Sequence, residues 1–317
     1  MSSAKVLILM TSPLDKIVHA LRVVESIKLQ HPELEFTWVV RRFYEPLVAS
    51  FDFVDRTIVF RRSEALASFA SLLREIRQDH YDFVLDFEGY ARTGAMCFFA
   101  KGGRKIGLRS AREGASICYG EVISKLSDER RHLVERFQDF GSIFGLKPVL
   151  SEALSLSQGG RLPDLVRGMF EDARQVVCLF PGRFKTERAW SGMSDLAARM
   201  VANHEDLEVL VLGVVPHVLS EPLPDRVHDL QGQFSWGELC RILASSSLVV
   251  ANDNGPAQLA GALGATNLTL YSFVSPEVRG TYPVGAVANA ALKAPQGEVS
   301  LLECDTVFAE VEKLLAL

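Results

Sequence analysis

The sequence lacks the features that direct a chain into a membrane or an oxidising compartment. No apolar run approaches the ~18 residues that a membrane-spanning helix needs. The N-terminal MSSAKVLILMTS leads directly into a strand pattern, without the signature of a signal peptide. The five cysteines are scattered and form no CxxC pair, so neither a disulfide framework nor a zinc site is indicated. These absences favour a cytoplasmic protein with reduced, buried thiols.

The chain is long, it is rich in hydrophobic residues, and its charge is unevenly distributed. Its 317 residues, 48% of them hydrophobic, suffice for two domains with separate cores. Residues 1–150 carry 22 Lys and Arg against 19 Asp and Glu (+3), whereas residues 151–317 carry 12 against 20 (−8). A basic first half is typical either of an ordinary solvated surface or of a face that meets an anionic acceptor or an anionic membrane. The overall acidity argues against nucleic acid.

Strand and helix patterns alternate along the chain, which predicts parallel, doubly wound α/β sheets. The periodicity lapses over residues 147–165, so we expect one Rossmann-like domain over 1–155 and a second over 165–317, ending in a helix and facing the first across a cleft. The predicted strands are 5–10, 36–40, 55–60, 83–86, 105–108, 176–180, 208–213, 226–230, 248–250 and 267–271.

The stretch ANDNGPAQLAGALG, residues 251–264, indicates a ligand site most directly. An apolar strand ends there at Asp253 and Asn254, Gly255 permits a turn, and Pro256 suits the first turn of a helix. A strand, a polar turn and a helix N-terminus together can bind a phosphate, with Asp253 placed to accept hydrogen bonds from sugar hydroxyls. The alternative is that Asp253 or Asn254 is only the helix N-cap.

Several stretches, in this order and spacing, resemble the glycosyltransferase family 9 heptosyltransferases, which add heptose to the inner core of bacterial lipopolysaccharide. They include VLILMTSPLDKIVHAL, YDFVLDFEGYARTG, KIGLRSAREG, LFPGRFKTERAW and SWGELCRILASSSLVVANDNGPAQLAGALG. The resemblance implies a GT-B fold whose N-terminal domain takes the acceptor and whose C-terminal domain takes a nucleotide-sugar. It implies no catalytic metal and no cofactor, and the absence of a DxD-type motif is consistent with that.

Sugar transfer needs positive charge at the departing diphosphate and a base at the acceptor hydroxyl. Arg183, Lys185 and Arg188 lie in the loop after the first strand of the second domain. Arg188 stands two residues before Trp190, where the family usually has a phosphate-binding Lys, and its guanidinium can bind phosphate bidentately. An exposed basic loop is the alternative.

The first loop departs from the family, which usually has Gly-Asp three residues before a His and uses that Asp as the proposed base. Here Asp15-Lys16 precedes His19, so Lys16 occupies the Asp position. We expect either that Asp15 is the base after a one-residue shift or that it is a helix N-cap. Lys16 is expected to lie at the acceptor, where it could instead bind phosphate, as in a site that no longer catalyses, and His19 is expected to be a buried structural residue.

The donor stretch departs as well. Gln258 stands where many relatives have His near the diphosphate, and Ser272 where they commonly have Gly beside the nucleotide. Gln can donate a hydrogen bond but cannot carry charge, so phosphate stabilisation would depend more on Arg188 and the helix amides. These changes are consistent with a different sugar nucleotide or with lost activity.

Besides Lys16, four residues of the first domain are expected to contact the acceptor. Glu88 and Arg92 follow the fourth strand, where relatives tend to have Gln and Lys. Arg109 and Arg112 would meet phosphate or carboxylate groups of a lipid-linked acceptor, unless an Arg112–Glu113 pair is only surface structure. The aromatic pair Phe98-Phe99 is expected to belong to the core.

The sequence therefore predicts an inverting glycosyltransferase, working at the cytoplasmic face of the inner membrane. Its donor would be a nucleotide diphosphate sugar resembling ADP-heptose, and its acceptor the lipopolysaccharide core or another lipid-linked glycan. The alternative is a catalytically degenerate relative that binds nucleotide-sugar or glycan as a scaffold.

Overall fold

The computed structural model describes residues 3–61, 66–123, 131–147, 149–182, 189–214, 219 and 223–316. The chain divides into two compact units, Met1–Gln158 and Gly159–Leu317. Each unit is built around a six-stranded sheet in which all neighbouring strands are parallel. The predicted α/β class with two doubly wound sheets is confirmed.

The first unit alternates strands with helices from its first described residues. Its strands are β1 (Ala4–Leu9), β2 (Leu34–Arg41), β3 (Arg56–Phe60), β4 (His80–Asp86), β5 (Lys101–Leu108) and β6 (Glu121–Ile123). Its α-helices are α1 (Leu14–Gln30), α2 (Glu45–Val48), α3 (Leu66–Ile76), α4 (Ala91–Phe99) and α5 (Leu133–Gln138). Single 3₁₀ turns cover Arg42–Tyr44, Ala115–Cys118 and Asp139–Phe144.

The strand order of the first sheet is β3-β2-β1-β4-β5-β6. The order reverses between β1 and β4, whose following helices start from neighbouring positions at the carboxyl edge of the sheet. Ligands of open α/β sheets bind at such a switch point. The core beneath it is apolar because buried parallel strands present side chains to both faces, and Leu7, Leu9 and Val84 pack in one cluster with Met96 and Cys97 of α4.

Residues 149–158 run back along the first unit as a strap over α1. The Arg22 Nη2 atom donates to the Ser151 carbonyl (2.7 Å), and Ser26 Oγ donates to the Val149 carbonyl (2.8 Å). The buried Glu25 carboxylate accepts from the Ser155 backbone N–H at 2.7 Å. This segment, in which the sequence shows no periodicity, is thus fixed by the polar face of a helix that the sequence predicts correctly.

The second unit repeats the architecture with its own elements. Its strands are β7 (Gln175–Phe180), β8 (Leu207–Val211), β9 (Val227–Asp229), β10 (Leu248–Asn252), β11 (Asn267–Tyr271) and β12 (Asn289–Lys293). Its α-helices are α6 (Asp164–Asp172), α7 (Met193–Asn203), α8 (Trp236–Ser245), α9 (Gly255–Ala262), α10 (Pro276–Arg279) and α11 (Cys304–Leu315). Its 3₁₀ turns are Pro295–Gly297 and Val299–Leu301.

The second sheet has the order β12-β11-β10-β7-β8-β9, so its reversal lies between β7 and β10. One face of the sheet forms a core in which Val177 and Val250 pack with Met200 of α7 and with Val307 and Val311 of the terminal helix α11. The carboxyl edge therefore presents two adjacent loops, one after β7 and one after β10, on a rigid support.

The sequence expectation for Phe98 and Phe99 is wrong. Their side chains are 60% and 42% exposed, whereas the preceding Met96 and Cys97 are fully buried. Helix α4 ends at Phe99, and its buried residues are Thr93, Gly94, Met96 and Cys97. Lys105 Nζ lies 5.7 Å from the centre of the Phe98 ring and donates to the Phe98 carbonyl at 2.6 Å.

Candidate active site

The first loop of the first unit leads into α1 without a side-chain cap. The N-cap residue is Pro13, and Asp15 lies inside the first helical turn, so the N-cap alternative for Asp15 is wrong. A carboxylate in the first turn is stabilised by the positive end of the helix dipole. Both Asp15 and Lys16 are half-buried, and Lys16 Nζ lies 5.8 Å from the centre of the Tyr90 ring, which belongs to the loop after β4.

Glu88 joins the loops after β1 and β4. Its Oε2 atom accepts from the Thr11 backbone N–H (2.6 Å) and from Thr11 Oγ1 (2.7 Å). Its Oε1 atom accepts from Arg92 Nη2 at 2.6 Å, and the same Nη2 donates to Thr11 Oγ1 at 3.0 Å. The three side chains form a closed ring of charge-assisted hydrogen bonds at the switch point.

Burial distinguishes the two charged members of this ring. The Glu88 side chain is 2% exposed and that of Arg92 is 27% exposed. The guanidinium of Arg92 lies 5.3 Å from the centre of the Phe60 ring, and its buried Nε has no hydrogen-bond partner among the described residues. Both carboxylate oxygens of Glu88 thus accept hydrogen bonds from protein donors. The Arg92 guanidinium, in contrast, retains N–H groups that can donate to a ligand.

A second carboxylate, Asp86, holds the loop after β4 through hydrogen bonds. Its Oδ1 accepts from the backbone N–H groups of Glu88 and Gly89 (both 2.9 Å), and its Oδ2 accepts from the Tyr119 hydroxyl (2.7 Å). Burial raises the pKa of Asp86 to about 6, against the lowering effect of these hydrogen bonds and of one from Thr93. Asp86 shapes the loop that carries Glu88.

The loop after β5 closes over the same region. The Arg112 backbone N–H donates to the Gly89 carbonyl at 2.7 Å. Gly89 has φ +73°, and a Cβ there would lie 3.1 Å from the Ala111 Cα, so a side chain would strain the backbone and crowd this contact. The loop brings Arg109 and Arg112 to the carboxyl edge with exposed side chains.

The expected alternative for Arg112, a surface pair with Glu113, does not occur among the described residues. Glu113 Oε2 instead accepts from the Ala91 backbone N–H at 3.2 Å, at the start of α4. It thereby satisfies a helix N-terminal amide that would otherwise lack a partner. The Arg112 side chain has no hydrogen bond or ion pair within the described part of the chain.

His19 is a buried structural residue, as the sequence indicates. Its ring packs edge-on against His132 with 5.0 Å between ring centres, and both rings are almost fully buried. Burial, with smaller effects of His132 and Arg22, lowers the pKa of His19 to about 3. His19 is therefore neutral at physiological pH.

The residues expected to bind the donor lie at the carboxyl edge of the second sheet. Asn254 is the N-cap of α9, and its side chain accepts from the Ala257 backbone N–H at 3.3 Å. Gly255 and Pro256 are the first residues of that helix, so the predicted strand-turn-helix is confirmed. Asp253 is half-buried, and its backbone N–H donates to the Leu270 carbonyl at 3.0 Å, which ties it to β11.

Asn252 fixes both ends of the loop after β7. Its Nδ2 donates to the Pro181 carbonyl at 2.6 Å, and its Oδ1 accepts from the Trp190 backbone N–H at 3.2 Å. Arg183, Lys185 and Arg188 belong to residues 183–188, which lie outside the described residues. The described residues Pro181 and Trp190, on either side of that segment, are both bonded to one buried side chain on β10.

Gln258 and Ser272 carry buried polar atoms without protein partners. The Gln258 side chain, in the first turn of α9, donates through Nε2 to the Arg279 carbonyl at 2.9 Å. Its Oε1 and the Ser272 Oγ have no partner among the described residues, although the two residues are only 4% and 1% exposed. An unpaired buried polar atom costs free energy, which a ligand recovers by bonding to it.

Sequence reasoning missed three residues of this arrangement: Thr11, Asp86 and Asn252. Each is a polar residue at the end of an apolar strand, so a signal is present. Each has at least one partner far along the chain, 77, 33 and 62–71 residues away, and only the folded sheet brings these partners together.

The described residues hold neither a candidate metal site nor a candidate membrane-spanning helix. They contain no group of three or more metal-ligating side chains. No helix in the described part of the chain is both long and apolar enough to cross a bilayer.

Comparison with known proteins identifies the family. The model of glycosyltransferase family 9 (heptosyltransferase) matches residues 69–300, which include the loop after β4, the loop after β7 and the whole of α9. The chain belongs to glycosyltransferase family 9. It is therefore an enzyme of glycosyl transfer, as the motifs predict.

Similar proteins cover the chain almost completely. Lipopolysaccharide heptosyltransferase 1 of Salmonella typhimurium is 24% identical over 97% of this chain and 99% of its own length. The lipopolysaccharide core heptosyltransferase OpsX of Haemophilus influenzae is 22% identical over 85% of this chain and 79% of its own. Such low identity fits a divergent member.

Solved structures share the fold. E. coli heptosyltransferase WaaC with ADP-2-deoxy-2-fluoro heptose superposes with a TM-score of 0.80 at 23% identity, covering 98% of this chain and 99% of that one. The family 9 glycosyltransferase of Veillonella parvula gives a TM-score of 0.80 at 15% identity, over 100% and 99%. The GT-B fold expected from the resemblance is confirmed. The roles of individual site residues stay predictions.

Proposed function

We propose that the chain transfers a heptose-type sugar, with inversion, from a nucleotide diphosphate donor to the lipopolysaccharide core or another lipid-linked glycan. The observation that carries the donor assignment is the carboxyl edge of the second sheet. There the N-terminal amides of α9 adjoin Asp253 and the unpartnered atoms of Gln258 and Ser272. Amides at a helix N-terminus bind phosphate, and the carboxylate accepts from sugar hydroxyls.

The nucleotide in this proposal is ADP. Similar proteins are named heptosyltransferases, and the solved WaaC structures hold ADP or ADP-2-deoxy-2-fluoro heptose. The second unit, within residues 165–317, takes the donor, and the first, within residues 1–155, takes the acceptor. Cofactor and catalytic metal have no role in the proposal.

Transfer requires a proton acceptor and a cation. Asp15 takes the proton of the acceptor hydroxyl as its oxygen attacks the anomeric carbon, and the bond from that carbon to the diphosphate oxygen breaks on the opposite face. The two electrons of that bond leave with the nucleoside diphosphate, whose negative charge Arg188 stabilises, with Arg183 and Lys185 beside it. In-line displacement inverts the configuration at the anomeric carbon.

The acceptor would meet the basic carboxyl edge of the first unit. Arg109 and Arg112 are exposed there, Arg92 keeps a buried Nε without a partner among the described residues, and Lys16 lies at the neighbouring loop. These cations suit phosphate or carboxylate groups on a glycan acceptor. Glu88, whose oxygens are occupied by protein donors, would act by holding Thr11 and Arg92 in place.

The same edge supports a peripheral contact with the cytoplasmic face of an anionic membrane. The loop with Arg109 and Arg112 leads to Ile117, whose side chain is 88% exposed. A basic loop beside an exposed aliphatic side chain suits an anionic bilayer surface. Co-sedimentation with anionic liposomes should occur at low salt and weaken at high salt. Equal sedimentation with neutral and anionic vesicles would contradict the contact.

Asp15→Asn tests the reaction. The enzyme should release ADP from ADP-heptose in the presence of a heptose-deficient lipopolysaccharide acceptor, and this variant should lower kcat by about 10²- to 10⁴-fold at unchanged donor affinity. Asp172→Asn, an exposed carboxylate on α6, is the matched control. If the intact protein binds ADP-heptose but transfers nothing, the scaffold alternative, motivated by Lys16 at the family's Asp position, replaces the proposal.

A further inference from the structure

The hydrogen bond of Gln258 defines which of its atoms a ligand can reach. Its partner, the Arg279 carbonyl oxygen, only accepts, so the bonded atom is the amide nitrogen Nε2 at 2.9 Å. The atom left without a partner among the described residues is the oxygen Oε1. Phosphate oxygens also accept, so Oε1 cannot bind the diphosphate, and the substitution of Gln for the usual His leaves this turn of α9 without a cation.

The same bond places Arg279 against α9. Arg279 is the last residue of α10, and its carbonyl is held by Gln258 in the first turn of α9. Two residues later, the Thr281 backbone N–H donates to the Tyr271 hydroxyl at 3.1 Å. The Arg279 backbone is thus fixed between α9 and β11, the two elements that present Asp253, Gln258 and Ser272 at the carboxyl edge.

The Arg279 side chain is available to a ligand. It is exposed, and it has no ion pair or side-chain hydrogen bond within the described residues. Its nearest acidic neighbour in sequence, Glu277, instead accepts from the Ser275 hydroxyl. No carboxylate of the described residues pairs with this guanidinium, and the backbone that carries it lies beside the first turn of α9, so its charge adds to the positive potential there.

We propose that Arg279 binds the diphosphate of the nucleotide donor and that Gln258 is the residue that positions it. The pair would supply, from two elements, the charge that a single cationic side chain on α9 would otherwise carry. The assignment rests on the proposed function, because it takes the donor site as given. It leaves Gln258 Oε1 and Ser272 Oγ for hydroxyl groups of the transferred sugar, which ADP does not carry and to which an amide oxygen and a hydroxyl can bond.

Calorimetric titration with ADP and with adenosine tests the assignment. Arg279→Ala should weaken ADP binding about 10- to 100-fold, as expected for a lost charge-assisted hydrogen bond, and leave adenosine binding unchanged. Arg279→Lys should retain part of the ADP affinity. Arg174→Ala removes an exposed arginine just before β7, at the opposite edge of the sheet, and should leave ADP binding unaltered.

Gln258→Ala tests the positioning role. It should weaken ADP binding in the intact background but add little in the Arg279→Ala background, because the two residues act as one unit. Unchanged ADP affinity in a folded Arg279→Ala protein overturns the assignment alone. Absence of ADP binding in the unmodified protein overturns the proposed function and this assignment together, so the two failures are distinguishable.

Discussion

Asn252 and Trp190 are joined by a hydrogen bond from the Trp190 backbone N–H to Asn252 Oδ1, at 3.2 Å. The other end of the same amide donates to the Pro181 carbonyl at 2.6 Å. One buried side chain thereby links Pro181 and Trp190, which stand on either side of the segment that contains Arg183, Lys185 and Arg188.

Asn252→Asp should therefore weaken ADP binding without removing any cation. The carboxylate cannot donate to the Pro181 carbonyl and is buried beside it, so the free energy of unfolding should fall by about 1–3 kcal/mol. Calorimetry and urea unfolding measure the two effects. Asn203→Asp makes the same change at an exposed amide that donates to the Arg199 carbonyl at the end of α7, and should leave ADP binding unaltered and lower the free energy of unfolding by less than about 1 kcal/mol. Unaltered ADP affinity in Asn252→Asp would refute the role given to this residue.

The ring of Thr11, Glu88 and Arg92 should show strong coupling in a double-mutant cycle. Glu88→Gln turns an amide donor toward either Thr11 or Arg92, both of which donate, and should cost about 1–3 kcal/mol of unfolding free energy. Adding Arg92→Lys should cost less than the sum, with a coupling of about 0.5–3 kcal/mol.

The surface pair Arg104–Glu121 provides the comparison for that cycle. Its nitrogen and oxygen are 2.7 Å apart, but the side chains are 48% and 41% exposed. The cycle of Arg104→Lys and Glu121→Gln should give a coupling below about 1 kcal/mol, since water screens the pair. Equal coupling free energies in both cycles would show that the buried ring of Thr11, Glu88 and Arg92 is no more strongly coupled than an exposed ion pair.

His19 and Asp86 should have opposite effects on stability between about pH 4 and pH 6. His19, with its pKa lowered from 6.5 to about 3, stays neutral when folded but takes up a proton when unfolded, so its contribution rises with pH. Asp86, with its pKa raised from 3.8 to about 6, holds a proton when folded that the unfolded chain has lost, so its contribution falls with pH. The pH dependences of these two contributions to the free energy of unfolding nearly cancel.

Single variants should reveal how each residue makes the free energy of unfolding depend on pH. Relative to the unmodified protein, His19→Phe should lose stability and Asp86→Asn should gain it as pH rises from 4 to 6. Each difference is about 1.4 kcal/mol per pH unit for one proton. Urea unfolding at several pH values measures both. A difference between variant and unmodified protein that does not change across this range would contradict the assigned protonation states.

Two glycine-to-alanine changes in helices of the second unit should have opposite effects. At Gly261 in α9 a Cβ would lie 2.0 Å from Thr281 Cγ2 and 2.9 Å from Asn289 Oδ1, so the variant should be destabilised by about 1–3 kcal/mol. At Gly168 in α6 the nearest atom is 4.0 Å away, so alanine should stabilise by about 0.5–1 kcal/mol. Thermal unfolding distinguishes them, and equal shifts would contradict the packing of α9 on residues 281–289.

The fold follows from the sequence where the pattern is strong. Apolar runs such as Leu248–Val250, each followed by an amphipathic segment, predict the parallel sheets because buried strands need no polar alternation. The elements missed have weak patterns: β6 has three residues, β12 reads NAALK, and α6 lies within the Pro- and Gly-rich stretch around residue 163. Contacts within the fold, not local preference, set these elements.

The sequence predicts which loops form the candidate site but not which partners their side chains bond to. Strand ends and the helix start at Gly255 mark the carboxyl edge, because local sequence determines them. The partners of Glu88 and Gln258 are not marked, since the sequence gives no sign that Thr11 or the Arg279 carbonyl lies beside them. Gln258 was expected to donate toward phosphate, and its amide nitrogen instead donates to Arg279.

The central claim is that the second unit binds a nucleotide diphosphate sugar at the start of α9. Calorimetric titration of ADP-heptose into the unmodified protein and into Asp253→Ala tests it most directly. We expect saturable binding that Asp253→Ala weakens at least about tenfold, because hydrogen bonds to the charged carboxylate are lost, while the variant stays folded. A folded, unmodified protein that shows no binding of ADP-heptose would contradict the account.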